Sequence, residues 1–181
     1  MHRLKITAMQ QELPDPEGLY LVILHAGNKP PHMGLMISGL YSSLSIKGKD
    51  LDVPAAVLFK NISQRKIASL FVRIKLNPEQ TLTSLNDFYK SRVKLFPRVD
   101  IGVATCLSPI LLFFKDRYGI RTEGVSYLYQ LLPRLEEQGL ILTTEALFAA
   151  HLMSDGEFEL PFYTMEEIYK GIEQVRTEYK N

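Results

Sequence analysis

Two histidines stand seven residues apart in LVILHAGNKPPHMGLMISG (residues 21–39), within a chain of 181 residues that contains four histidines in all. The single cysteine, Cys106, falls in GVATCLSPILLFF (residues 102–114). A thiol and an imidazole are the two groups nucleophilic acyl chemistry needs: the sulfur attacks a carbonyl while the ring takes and later returns a proton. Pro109 is tolerated only in a first helical turn, which places Cys106 where a loop enters a helix, with Thr105 or Ser108 able to cap free amides there. Unbonded N–H groups and the helix dipole favour a thiolate, so the expected pKa lies below the free value of about 8.5. A lone cysteine in an apolar run is also a common small core residue, and composition by itself favours that alternative. His32 follows Pro30-Pro31 at the start of an extended segment, where one ring nitrogen can face a cleft while a partner holds the other. His25, ending an apolar strand, reads as a structural histidine, and His151 in LFAAHLM as a packed one.

Other chemistries fit these residues less well. His25, His32, His151 and Cys106 have the ligand types of a zinc site, but no pair shows the short spacing of a metal motif. GLYSSLS lacks a nucleophile-elbow pattern. Gly27, Gly34 and Gly39 form no phosphate loop. No metal or cofactor is expected.

The elements that must position these residues follow from local patterning. GLYLVILHAG (18–27) reads as a buried strand, NKPP as an extended link. HMGLMISGLYSSLSIKG (32–48) reads as a strand, a bend at Gly39 and a second strand. AAVLFKNI (55–62) and IASLFVRIKL (67–76) complete a β-rich half. Residues 77–93 turn helical, with Asn77 as N-cap and Pro78 at the first helical position. TCLSPILLFFKDRYG (105–119) is a helix stopped by Gly119. Residues 125–139 form a third, in which Pro133 is expected to cause a break. TTEALFAAHLMSDG is expected as a short fourth helix and EFELPF as a late strand. Residues 164–180 close the chain as a helix opened by a Thr164–Glu167 capping box, with Ile168, Ile172 and Val175 as its buried stripe. The fold class is α+β, an antiparallel sheet drawn mainly from the N-terminal half and packed against helices.

Composition bounds the rest. With 46% hydrophobic residues and a net charge of +1, the chain can bury one sizeable core and offers no field for nucleic acid. One domain over 1–181 is expected, its core at about 18–162. MHRLKITAMQQELPDPEG lacks the apolar stretch of a secretory signal, and one cysteine closes no internal disulfide, so the expected location is cytoplasmic. IGVATCLSPILLFF is too short and too interrupted to span a bilayer.

The order of these features resembles the circularly permuted branch of the NlpC-type papain-like superfamily, which includes the lecithin:retinol acyltransferase-like proteins and in which histidine precedes cysteine. PHMGLMI is similar to that branch's histidine strand and ATCLSPILLFF to its cysteine-opened helix. GLILTTEALFAAHLMSDGEFEL is similar to the closing segment of some members, so the likeness covers about 18–162. The resemblance implies Cys106 as nucleophile and His32 as base, with a third polar group on the next strand to orient the ring. Ser43, Ser45 and Lys47 stand there, and Ser45 is assigned with Cys106 and His32. It implies acyl transfer through a thioester, as a peptidase, amidase or acyltransferase on a peptide, amide or lipid-like small substrate. The alternative is a non-catalytic peptide-, lipid- or partner-binding module of the same fold.

Overall fold

The structure, a computed structural model, describes residues 2–9 and 15–179. Along the chain run β1 (Arg3–Lys5), β2 (Ala8–Met9), β3 (Leu19–Leu24), β4 (His32–Ile37), β5 (Leu40–Ser45), β6 (Gly48–Pro54), α1 (Ala55–Arg65), β7 (Ser69–Ile74), α2 (Leu82–Val93), α3 (Ser108–Tyr118), α4 (Leu128–Glu137), β8 (Ile141–Leu147), β9 (Met153–Ser154), β10 (Glu157–Glu159) and α5 (Met165–Glu178). The main sheet has the order β2-β8-β7-β3-β4-β5-β6, antiparallel except where β2 joins β8 in parallel. A smaller sheet, β1-β10-β9, lies apart from it.

β3 sits at the centre and shows why the sheet has a core on both faces. Its six residues are all buried, and alternation sends Leu19, Leu21 and Ile23 to one side and Tyr20, Val22 and Leu24 to the other. The larger core gathers α2, α3, α4 and α5 through residues such as Leu85, Phe113, Leu131 and Ile172. The smaller core is closed by α1 through Ala55, Leu58, Phe59 and Ile62. Those positions follow a helical period, so residues 55–62, expected as strand, form a helix because only that geometry puts all four on the sheet.

Three other expectations are corrected. Thr81, not Asn77, caps α2: its hydroxyl accepts the Ser84 amide at 3.2 Å, while the Asn77 amide donates to Gln80 Oε1. Pro133 does not break α4, because Leu128, Leu131, Leu132 and Leu135 are all buried and their burial outweighs a proline cost of about 3 kcal/mol. Residues 143–156 are not a helix; they supply most of β8, a 3-10 turn at Ala150–Leu152, and β9. β8 pairs along the whole of β7, so the sheet's unpaired backbone decided that segment against its local helical leaning.

α5 carries the expected capping box, with Thr164 Oγ1 accepting the Glu167 amide and Glu167 Oε2 accepting the Thr164 amide. Residue 180, the expected end of this helix, lies outside the described residues. Ile168 and Ile172 are buried and Val175 partly so. A helix of this length is marginal alone, so docking must hold it. Ile172→Ala is expected to lower the unfolding free energy by about 2 kcal/mol, measured as a shift of the urea midpoint at constant slope. An unchanged midpoint would mean that α5 contributes nothing to the core.

Candidate functional site

β4 pairs with β3 at every residue from His32 to Ile37, but its ladder to β5 begins only at Leu35. The two strands therefore part at the His32 end. Cys106 meets β4 there, from a turn that precedes α3 by two residues. Its Sγ lies 3.9 Å from the carbonyl oxygen of Pro31, the residue before His32. The thiol is thus held against the backbone at the start of the His32 strand. The turn is fixed by side chains: Ser108 Oγ accepts the Thr105 amide at 2.9 Å, and Thr105 Oγ1 accepts the Leu107 amide at 3.3 Å. Thr105 and Ser108 thus bond to amides of the turn itself, and α3 begins without a side-chain cap.

His32 Nε2 stands 3.2 Å from Ser43 Oγ. With the proton on Nε2 the ring donates to that hydroxyl, and Nδ1 is left as the basic nitrogen. Ser45, the residue assigned from sequence, is not the partner: its hydroxyl donates to the Gly48 carbonyl at 3.3 Å. Lys47 packs over the Tyr179 ring, 4.2 Å from its centroid. Ser43 and Ser45 are two apart on β5 and share a face, so the strand pattern alone does not say which of them meets the ring.

The space over Gly34 is taken by Tyr41, since a Cβ at Gly34 would lie 2.6 Å from both the Tyr41 ring and the Ser42 carbonyl. The Tyr41 hydroxyl is buried beside Ser43 and completes no hydrogen bond among the described residues. Gly34→Ala must therefore displace β5, and a cost of about 2 kcal/mol is expected, read from chemical denaturation. A fully tolerated alanine would show that β4 and β5 are not packed this closely.

The electrostatics depart from expectation. Burial pushes the Cys106 thiol up to about 11, against the amides of Met33, Cys106 and Leu107, which pull it down. Burial likewise holds His32 down to about 4, with Asp50 opposing and His25 adding to the effect. The helix-start effect is present, but desolvation exceeds it. The resting pair is a neutral thiol and a neutral imidazole.

Both groups line a cleft of 640 Å³, together with Tyr163, Leu107 and Ile168, Ile172 and Val175 of α5. Ser45 and Lys47 also reach its lining. The amphipathic stripe of α5 was legible in the sequence as a docking face; that the same stripe walls the cleft was not. Tyr41 and Tyr163 likewise carried no local signal. His25 is exposed at the rim, just beyond β3, and His151 is exposed in the 3-10 turn, where it lines a different pocket. Among the described residues no three of the histidine, cysteine and acidic side chains come together as a metal site, so the zinc set is not assembled. No helix among the described residues is long and apolar enough to cross a membrane. Scanned against protein-family models, curated proteins and solved structures, the chain matches none.

Proposed function

We propose that the protein is a thiol-dependent acyl-transfer enzyme in which Cys106 is the nucleophile, His32 the base and Ser43 the hydroxyl that orients the ring. The approach of the Cys106 sulfur to the Pro31 carbonyl, next to His32 in the chain and in one cleft with it, carries this reading. The chain order of histidine strand before cysteine turn, and the α+β architecture, agree with the permuted papain-like arrangement that the sequence resembles.

A neutral pair attacks with proton transfer rather than from a preformed thiolate. As sulfur bonds to the carbonyl carbon, its proton passes to the free nitrogen of His32 and the carbonyl oxygen becomes an oxyanion, with the amide of Cys106 itself as the donor assigned to it. The imidazolium returns the proton to the leaving group, and water or a second nucleophile then releases the acyl group from sulfur. Moving the proton from a thiol at about 11 to a ring at about 4 costs roughly 9 kcal/mol before the ions attract, and that attraction returns only about 4 kcal/mol at close range. Esters and thioesters, whose leaving groups depart readily, are therefore the substrates this site supports, ahead of amides and peptides.

The non-catalytic binding reading has one observation in its favour: a serine, not a carboxylate, stands behind His32, and it stabilises an imidazolium less. One experiment separates the two. Incubation with p-nitrophenyl acetate should leave an acetyl group on the Cys106 peptide, seen by mass spectrometry, and Cys106→Ala should abolish it. His32→Ala should slow acylation by a factor on the order of a hundred or more. A folded wild-type protein that releases no p-nitrophenol above background and carries no adduct would establish the binding module instead.

A further inference from the structure

His25 and Asn28 line a second pocket of 340 Å³ next to the cleft. Three stretches remote in sequence converge on it. His25 comes from the turn after β3, Arg65 and Lys66 from the end of α1, and His151 from the 3-10 turn. Among the described residues no aspartate or glutamate lines it. Among the described residues none of these four side chains joins an ion pair. Cations at a helix C-terminus are ordinary by themselves, because they answer the dipole. Here they share a concave site with two imidazoles and, among the described residues, have no counter-charge.

Two further observations concern His25. His25 is held below its ordinary pKa first by burial and then by the charge of Arg65. Its backbone occupies the left-handed region at φ 51°, a conformation that costs free energy in a residue with a side chain. The turn is tied down by the Asn28 amide donating to the His25 carbonyl at 2.8 Å and the Ala26 amide to the Ala68 carbonyl at 2.9 Å. His25 is thus held in a tied-down turn with its ring within reach of the Arg65 charge.

We propose that this pocket binds a phosphate group. Arg65 supplies a planar fork suited to two phosphate oxygens, Lys66 a second full charge, and the rings of His25 and His151 further N–H donors. Two permanent cations match a phosphate dianion better than a single carboxylate, and the pocket is larger than a carboxylate needs. The ligand is either free phosphate or, resting on the acyl-transfer reading, a phosphate in the leaving group of the acyl donor, since His25 borders both cavities.

Calorimetric titration of the full chain with inorganic phosphate at constant ionic strength should show one saturable site with a dissociation constant of about 1 mM or tighter. The double variant Arg65→Gln/Lys66→Gln should weaken it at least tenfold, while Lys49→Gln and Cys106→Ala leave it unchanged. Absence of saturable binding, or equal weakening by Lys49→Gln, would overturn the proposal. The source is read from kinetics. If the phosphate belongs to the donor, the double variant should raise KM for acetyl-coenzyme A about tenfold and leave KM for S-phenyl thioacetate unchanged. Phosphate binding by the wild type that the double variant weakens, with both KM values unmoved, supports the site with free phosphate as its ligand. Phosphate binding in a protein without any acyl transfer would uphold this pocket and dismiss the catalytic reading alone.

Discussion

Between pH 6.5 and pH 4 the protein is expected to lose about 3 kcal/mol of folding stability through His32 alone. The folded state holds this ring down to about 4, chiefly by burial, whereas the unfolded chain takes up a proton near the ordinary value of 6.5. Across that interval the unfolded state binds more protons, so stability falls as pH falls, and the contribution is intact above the unfolded pKa. Below about pH 4 both states are protonated and the slope from this group vanishes. His25 is lowered as well and adds to the loss, while Glu145, raised by burial, opposes it. The comparison that isolates His32 is therefore between wild type and His32→Gln, each unfolded by urea at neutral pH and near pH 4.5. The wild type should lose about 2–3 kcal/mol more than the variant over that span. Equal losses in the two proteins would mean that His32 is hydrated and ionises freely.

The second large effect is on thiol chemistry, and its direction is opposite to what a cysteine at a helix entrance suggests. With Cys106 raised to about 11 by burial, its thiolate fraction near neutral pH is roughly a hundredfold below that of a free thiol, and alkylation should slow by up to that factor. The chain has one cysteine, so the rate of iodoacetamide incorporation reports this site alone. The rate should keep climbing through pH 9 and above, and His32→Ala should change it little at neutral pH, since the resting ring carries no charge to support a thiolate. A plateau already reached below pH 7, lost in His32→Ala, would show a preformed thiolate–imidazolium pair and refute the neutral-pair mechanism. Slow alkylation together with acylation by an activated ester is the combination the proposed mechanism requires.

Much of the candidate site was legible in residue types and order. A histidine after two prolines must open an extended segment, and a proline three residues after Cys106 must lie in a first helical turn; both follow from excluded backbone angles and missing donors. The α5 capping box and stripe are local patterns and appear as read. Local signals were weaker where two structures could bury the same residues. AAVLFKNI is apolar enough for a strand, and only the position of the sheet beneath Ala55, Leu58, Phe59 and Ile62 selects the helix. TTEALFAAHLMSDG has helix-forming residues, yet the open edge of β7 needed a partner.

What the sequence by itself determined is which groups could act: one thiol, one histidine at a strand start, serines on the next strand, and no charge excess to suggest another ligand class. Those depend on covalent identity and short-range backbone geometry, which a linear reading contains. Only the tertiary structure decided that Ser43 rather than Ser45 meets the ring, that Tyr41 fills the space over Gly34, and that the thiol is raised rather than lowered. The reason is that side-chain pairing between strands and desolvation in a cleft depend on residues brought together from beyond local range. Burial of Cys106 in the folded chain outweighs the amides supplied by its own turn.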